Sequence, residues 1–270
     1  MNIYNYIKKN DYERYLCSIF VSASMREDLL VLYAFNQEIA KIPEMTSEAH
    51  LSLIRLKWWE EAVVDIYKGV SRSNYIVESL SKIIKKYNLP YELFKNIFTG
   101  RSMDCQRLDI QTKKELYDYL DMTSSSLNKL AIHILGTKNN KDYEYAQYLG
   151  RAYALTGVLR TIRYLRHNNK MLCIPAEYID RYNLTRNEFV CNKYPDKIKL
   201  IVNDVLNLVD ENMLHIDNKN IECKNIFLMQ AIVNQFRSRV TKLNYDIFEP
   251  KSDVNYFLAL CRMLKLHLWR

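Results

Sequence analysis

Arg160, Arg163 and Arg166 recur at i, i+3 and i+6, and Arg151 and Lys170 flank them. On a helix this interval puts guanidinium groups on adjoining turns. Such groups can hold a phosphate or diphosphate through paired, charge-assisted hydrogen bonds without a metal. The alternative is a solvated basic face, which suits Arg163 and Arg166. For Arg160, a cleft-facing anion ligand and a structural ion pair both stand. Other chemistry has less support. His50, His133, His167, His215 and His267 show no ligand spacing, and Cys17, Cys105, Cys173, Cys191, Cys223 and Cys261 form no CxxC. A zinc site and a disulfide framework are therefore not expected, and reduced, mostly buried thiols are. There is no Walker A or GxGxxG sequence, so nucleotide binding has no motif behind it. A net charge of +8 makes anionic partners plausible, yet no nucleic-acid motif is interleaved with the basic residues, and no nucleic-acid partner is expected.

The elements that must position these residues read as helices almost throughout. Arg26–Ala40 repeats its apolar residues at helical spacing, with Ser24 and Glu27 as a capping box and Pro43 as the stop. His50–Tyr67 does the same and ends at Gly69. Ser73–Tyr87, Tyr91–Phe98, Lys113–Gly136, Asp142–Arg166, Asp196–Leu214, Asn225–Leu243 and Ser252–Trp269 follow. Only His167–Leu184 reads as structured but non-helical, a long connection of the kind that often carries function. With 49% hydrophobic residues, and with only five Gly and five Pro, wholesale disorder and a turn-dense β sandwich are excluded. One all-α domain spanning 1–270 is expected. No signal-peptide core and no apolar run of roughly 18 residues is present, so a cytoplasmic location is expected. The last helix is apolar at Phe257, Leu258, Leu260, Cys261, Leu264, Leu268 and Trp269, and basic at Arg262, Lys265 and Arg270. It reads either as a terminal helix docked with one polar face out or as an interfacial helix on an anionic membrane.

Leu32-Tyr33-Ala34-Phe35-Asn36-Gln37-Glu38-Ile39 resembles the first signature helix of the squalene/phytoene synthase family, and Arg55–Glu61 resembles the helix after it. Gly150–Arg160 is similar to the second signature helix, and Met171-Leu172-Cys173-Ile174-Pro175 to the family's short apolar run. Tyr119–Leu127 fits in order and spacing, and Asp104 is similar to an acidic position on a middle helix. The resemblance runs from about Tyr12 to the C-terminal helix and implies an all-α fold that joins prenyl diphosphates. In that chemistry Mg²⁺ takes up the charge of departing pyrophosphate, held by two DxxxD motifs whose carboxylates share helix faces.

The motif positions here are altered. The first motif falls on Ala40 to Glu44, with Lys41 beside Ala40 and Pro43 inside it, and the second on Thr161 to Leu165. Of the four motif carboxylates only Glu44 keeps an acid, so no metal is expected, and Mg²⁺ would matter only for a transferase using other ligands. Arg160, Arg163, Tyr33 and Tyr153 are the expected substrate or anion contacts. Glu38, Asp104 and Asp121 are the carboxylates that would have to converge for an enzyme. Asp11–Ser18 and Asn244–Pro250 resemble a branch of the family typified by an assembly factor for respiratory complex I. This implies a catalytically degenerate protein at the inner membrane, with prenyl diphosphate, anionic lipid or respiratory-complex subunits as partners.

Overall fold

The computed structural model describes residues 2–137, 139–165, 171–217, 221, 223 and 225–268, with the backbone alone at 163–165. The described residues form fourteen α-helices: α1 Ile3–Asn10, α2 Tyr12–Ser18, α3 Ala23–Ala40, α4 Ala49–Tyr67, α5 Tyr75–Tyr87, α6 Tyr91–Gln106, α7 Lys113–Leu120, α8 Ser126–Leu135, α9 Asn140–Leu165, α10 Ala176–Arg181, α11 Arg186–Val190, α12 Pro195–Leu214, α13 Gln230–Lys242 and α14 Tyr256–Leu268. No strand occurs among the described residues, so the all-α expectation holds.

Two helices form the centre. In α3, every residue from Leu29 to Asn36 is buried, as expected for a helix covered on all sides. α9 buries Ala146, Leu149, Ala152, Leu155, Leu159 and Ile162, a stripe with steps of three and four that α8, α12 and α13 cover.

Several helix ends differ from the sequence reading. α3 begins after Ser22, which makes no side-chain cap bond, so Ser24 lies inside the first turn and caps nothing. Arg26 acts there instead. Its guanidinium donates to the carbonyls of Ser18, Ile19 and Val21 at 3.0–3.2 Å and satisfies the end of α2. Pro43 ends α3 as expected, in a 3₁₀ turn at Ile42–Glu44. Lys113–Gly136 is not one helix. A π-helical turn at Asp121–Ser125 separates α7 from α8, and such turns concentrate at functional sites. His167–Leu184 includes the short helix α10, too brief to show a period, while 167–170 lie outside the described residues.

Candidate functional site

The site is built where the second helix, α2, packs on α3 and reaches α9 through its side chains. Asp11 caps α2, with its Oδ1 accepting from Arg14 N at 3.3 Å and its Oδ2 from Arg14 Nη1 at 2.9 Å. Two residues on, Glu13 faces α9. It accepts from Arg160 Nη1 at 2.7 Å and from the Tyr153 hydroxyl at 2.7 Å. The Arg14 guanidinium lies 4.9 Å from the Tyr153 ring and 5.7 Å from the Tyr33 ring, distances at which a cation is attracted to an aromatic face.

Two adjoining cavities open here. The larger, about 680 Å³, is lined by Glu13, Arg14, Gln37, Tyr153, Arg160 and Thr161 among others. The smaller, about 280 Å³, is lined by Asn36, Arg101, Tyr119, Ser124 and Cys173. Arg14, Tyr153, Gly157 and Thr161 border both. The π turn sets the second wall by turning Thr123 and Ser124 into it. Gly100 and Gly150 let it pack closely: an added Cβ would meet Thr123 Cγ2 at 2.5 Å and Ser125 Cα at 2.6 Å, respectively. A third cavity, about 640 Å³, lies against α1, α3 and α5. Its Arg26 and Asp28 are already committed, Asp28 to Lys86 and Tyr87 at 2.7 Å each.

Electrostatically the cleft is a set of closed ion pairs. Arg160 pairs with Glu13, Arg14 with Asp11, and Arg101 with Asp104 at 2.8 Å. Burial disfavours the Arg14 and Arg160 charges, but Asp11 and Glu13, with the surrounding tyrosines, outweigh it and hold both above the ordinary arginine range. Burial raises the Tyr119 hydroxyl, and Asp104, which accepts its hydrogen bond at 2.8 Å, raises it further. The Cys173 thiol is raised by burial, so it is no ready nucleophile.

The expected site residues are only partly brought together. Arg160, Tyr153 and Thr161 line the larger cavity, and Thr161 Oγ1 donates to the Val158 carbonyl at 2.9 Å. Tyr33 is buried behind Arg14. Ala40 is half-buried and Glu44 is exposed on the 3₁₀ turn. Neither lines the two cavities. Lys41, beside Ala40, donates to Asn10 Oδ1 at 2.7 Å and to the Tyr6 hydroxyl at 3.2 Å. The side chains of Arg163 and Leu165, and all of Arg166 and Lys170, lie outside the described residues. Glu38, Asp104 and Asp121 do not converge: Glu38 accepts from Tyr6, Asp104 from Arg101 and Tyr119, and Asp121 from Arg151 and Gln147. Trp59 joins the core against Phe35, whereas Trp58 is exposed beside Arg72.

This donor set does not fit Mg²⁺. Among the described residues no group of three or more His, Cys, Asp or Glu is placed to hold a metal. Asp11, Glu13 and Asp253 line the larger cavity, and Asp11 and Glu13 are each paired with an arginine, as Asp104 is with Arg101, which lines the smaller one. The buried polar atoms left without a partner around the cleft are Arg14 Nε, Arg101 Nε and Ser124 Oγ. The two guanidinium nitrogens can only donate, so they call for an acceptor rather than a cation, while the Ser124 hydroxyl can donate or accept. Sequence reasoning missed Asp11, Glu13 and Arg14 as site residues, because α2 and α9 are far apart in the chain. The available signals were the resemblance over Asp11–Ser18 and three ionisable residues within four positions at the start of a short helix.

The same architecture occurs in known proteins. Human NADH dehydrogenase (ubiquinone) complex I, assembly factor 6 is 26% identical over 269 residues, covering 98% of this chain and 80% of that protein. Its Dictyostelium discoideum homologue is 27% identical over 272 residues, covering 97% and 76%. A crystal structure of a dehydrosqualene synthase in complex with ligand superposes with a TM-score of 0.80 at 18% identity, covering 99% of this chain and 94% of that one. The pattern that defines squalene/phytoene synthases matches residues 7–266, so the fold, the ordered signature helices and the sequence agree, and this chain belongs to the squalene/phytoene synthase family.

Proposed function

We propose that this protein is a non-catalytic member of its family that serves the assembly of respiratory complex I, and that its cleft recognises an anionic head group without a metal. The observation that carries the non-catalytic half is the triple pairing of Arg14, Arg101 and Arg160 with Asp11, Asp104 and Glu13. On this reading these pairs stand at the cleft where a diphosphate would be held. Fixed guanidinium charges can orient a phosphate bidentately, but they cannot act as a Lewis acid toward a departing pyrophosphate. The assembly half is supported by relatives that match 97–98% of the chain and are named complex I assembly factor 6. The ligand class this supports is a prenyl diphosphate or an anionic lipid held by its head group, with subunits of the respiratory complex as protein partners. Such work brings the chain to the face of a respiratory membrane, and among the described residues no helix is long and apolar enough to cross one.

The test is depletion of the protein in its own cells, followed by native-gel separation of the respiratory complexes. Selective loss of assembled complex I, restored by the wild-type chain, is the expected result. Unchanged complex I together with a loss of isoprenoid products would overturn it.

A further inference from the structure

We infer that α14 lies flat on an anionic lipid surface. The inference does not depend on the assembly role proposed above. α14 touches the rest of the protein through a narrow seam in which only Ala259 and Met263 are buried. Turned away from that seam, Phe257, Cys261, Leu264 and Leu268 recur at i, i+4, i+7 and i+11. All four are exposed, Phe257 at 72% and Leu268 at 73%. They make one apolar stripe about 16 Å long on the free side of the helix. Exposed Arg262 and Lys265 adjoin it, and α14 contains no Asp or Glu. Each of the two readings of this helix is met in part: the helix docks at Ala259 and Met263, but its outer face carries an apolar stripe beside basic residues.

The charge pattern chooses the occupant. The four stripe positions have the spacing of a coiled-coil seam, yet pairing with a second copy would place Arg262 against a border with no acidic residue of its own helix to meet it. An anionic interface offers an apolar layer for Phe257 and Leu268 and negative head groups for Arg262, on a helix with basic residues and no acidic one. Tyr256, at the start of α14, also lines the larger cavity, so the cleft opens beside the proposed lipid-facing helix.

The test is co-sedimentation of the full chain with vesicles of phosphatidylcholine alone or mixed with phosphatidylglycerol. Retention is expected on the mixed vesicles, with affinity on the order of tenfold lower on the neutral ones. Phe257→Glu combined with Leu264→Glu should abolish retention while circular dichroism melting stays unchanged, since both sites are exposed. Ile54→Glu, at an exposed apolar position on α4, should bind as the wild type does. The inference fails if the wild type stays in the supernatant or if the double variant still sediments with vesicles. It also fails if the stripe instead supports a concentration-dependent dimer that the double variant dissolves.

Discussion

Arg160 on α9 and Glu13 on α2 stand 147 positions apart and meet at 2.7 Å, with Glu13 also accepting from Tyr153. The pair ties α2 to the central helix α9 and closes the wall of the cleft. Glu13 is almost wholly buried, at 4% exposure, so removing its partner leaves a poorly solvated carboxylate. Arg160→Ala should cost about 3 kcal/mol, the low end for breaking a buried pair. Glu13→Gln with Arg160→Gln should recover part of that loss, because no charge is left unpaired. Urea unfolding midpoints of the two variants check this.

The glycines of α9 should respond in opposite directions. At Gly150 an added Cβ would meet Ser125 Cα at 2.6 Å and Ser125 N at 2.8 Å, both backbone atoms. Gly150→Ala must push the π turn away and should cost about 2–3 kcal/mol. At Gly157, which lines the cleft, nothing lies within 4 Å of an added Cβ. Gly157→Ala should stabilise the helix by about 0.5–1 kcal/mol. Thermal unfolding should show Gly150→Ala melting below the wild type and Gly157→Ala above it.

His133 supplies a pH dependence. Burial lowers its pKa below the usual 6.5, and its Nδ1 lies 3.1 Å from the Tyr143 hydroxyl. A depressed histidine pKa means that the unfolded chain takes up the proton first, so stability is complete above the unfolded value and falls as pH drops through it. His133→Gln should flatten the loss of stability just below pH 6.5, as measured by denaturant midpoints across that range.

Ligand binding should ignore the metal. Calorimetric titration with a non-reactive farnesyl diphosphate analogue should give the same Kd in Mg²⁺ and in EDTA, and Glu44→Ala should change neither. Arg160→Lys keeps a charge beside Glu13 but loses the planar fork. It should weaken binding severalfold while shifting stability by less than about 1 kcal/mol.

Much of the fold was legible because helical period survives in a single sequence. The expected Asp142–Arg166 and Asp196–Leu214 match α9 and α12 within two residues at each end that the structure describes. The π turn was not legible, since one extra residue per turn leaves the apolar rhythm of Lys113–Gly136 looking continuous. Arg160 could be placed on the cleft from its helix register. Its partner could not, because nothing local to Arg160 points to Glu13. Likewise Asp104 stands out as an acid on a middle helix, but its commitment to Arg101 and Tyr119 is a matter of rotamers and neighbouring turns. The outward stripe of α14 was visible as composition. Which apolar residues dock and which face outward depends on the seam at Ala259 and Met263.

The most direct measurement is product analysis after incubating the purified protein with farnesyl or geranylgeranyl diphosphate and Mg²⁺. The paired arginines predict that the diphosphates are recovered unchanged and no head-to-head condensation product forms. A Mg²⁺-dependent condensation product, lost on Glu44→Ala, would contradict the account.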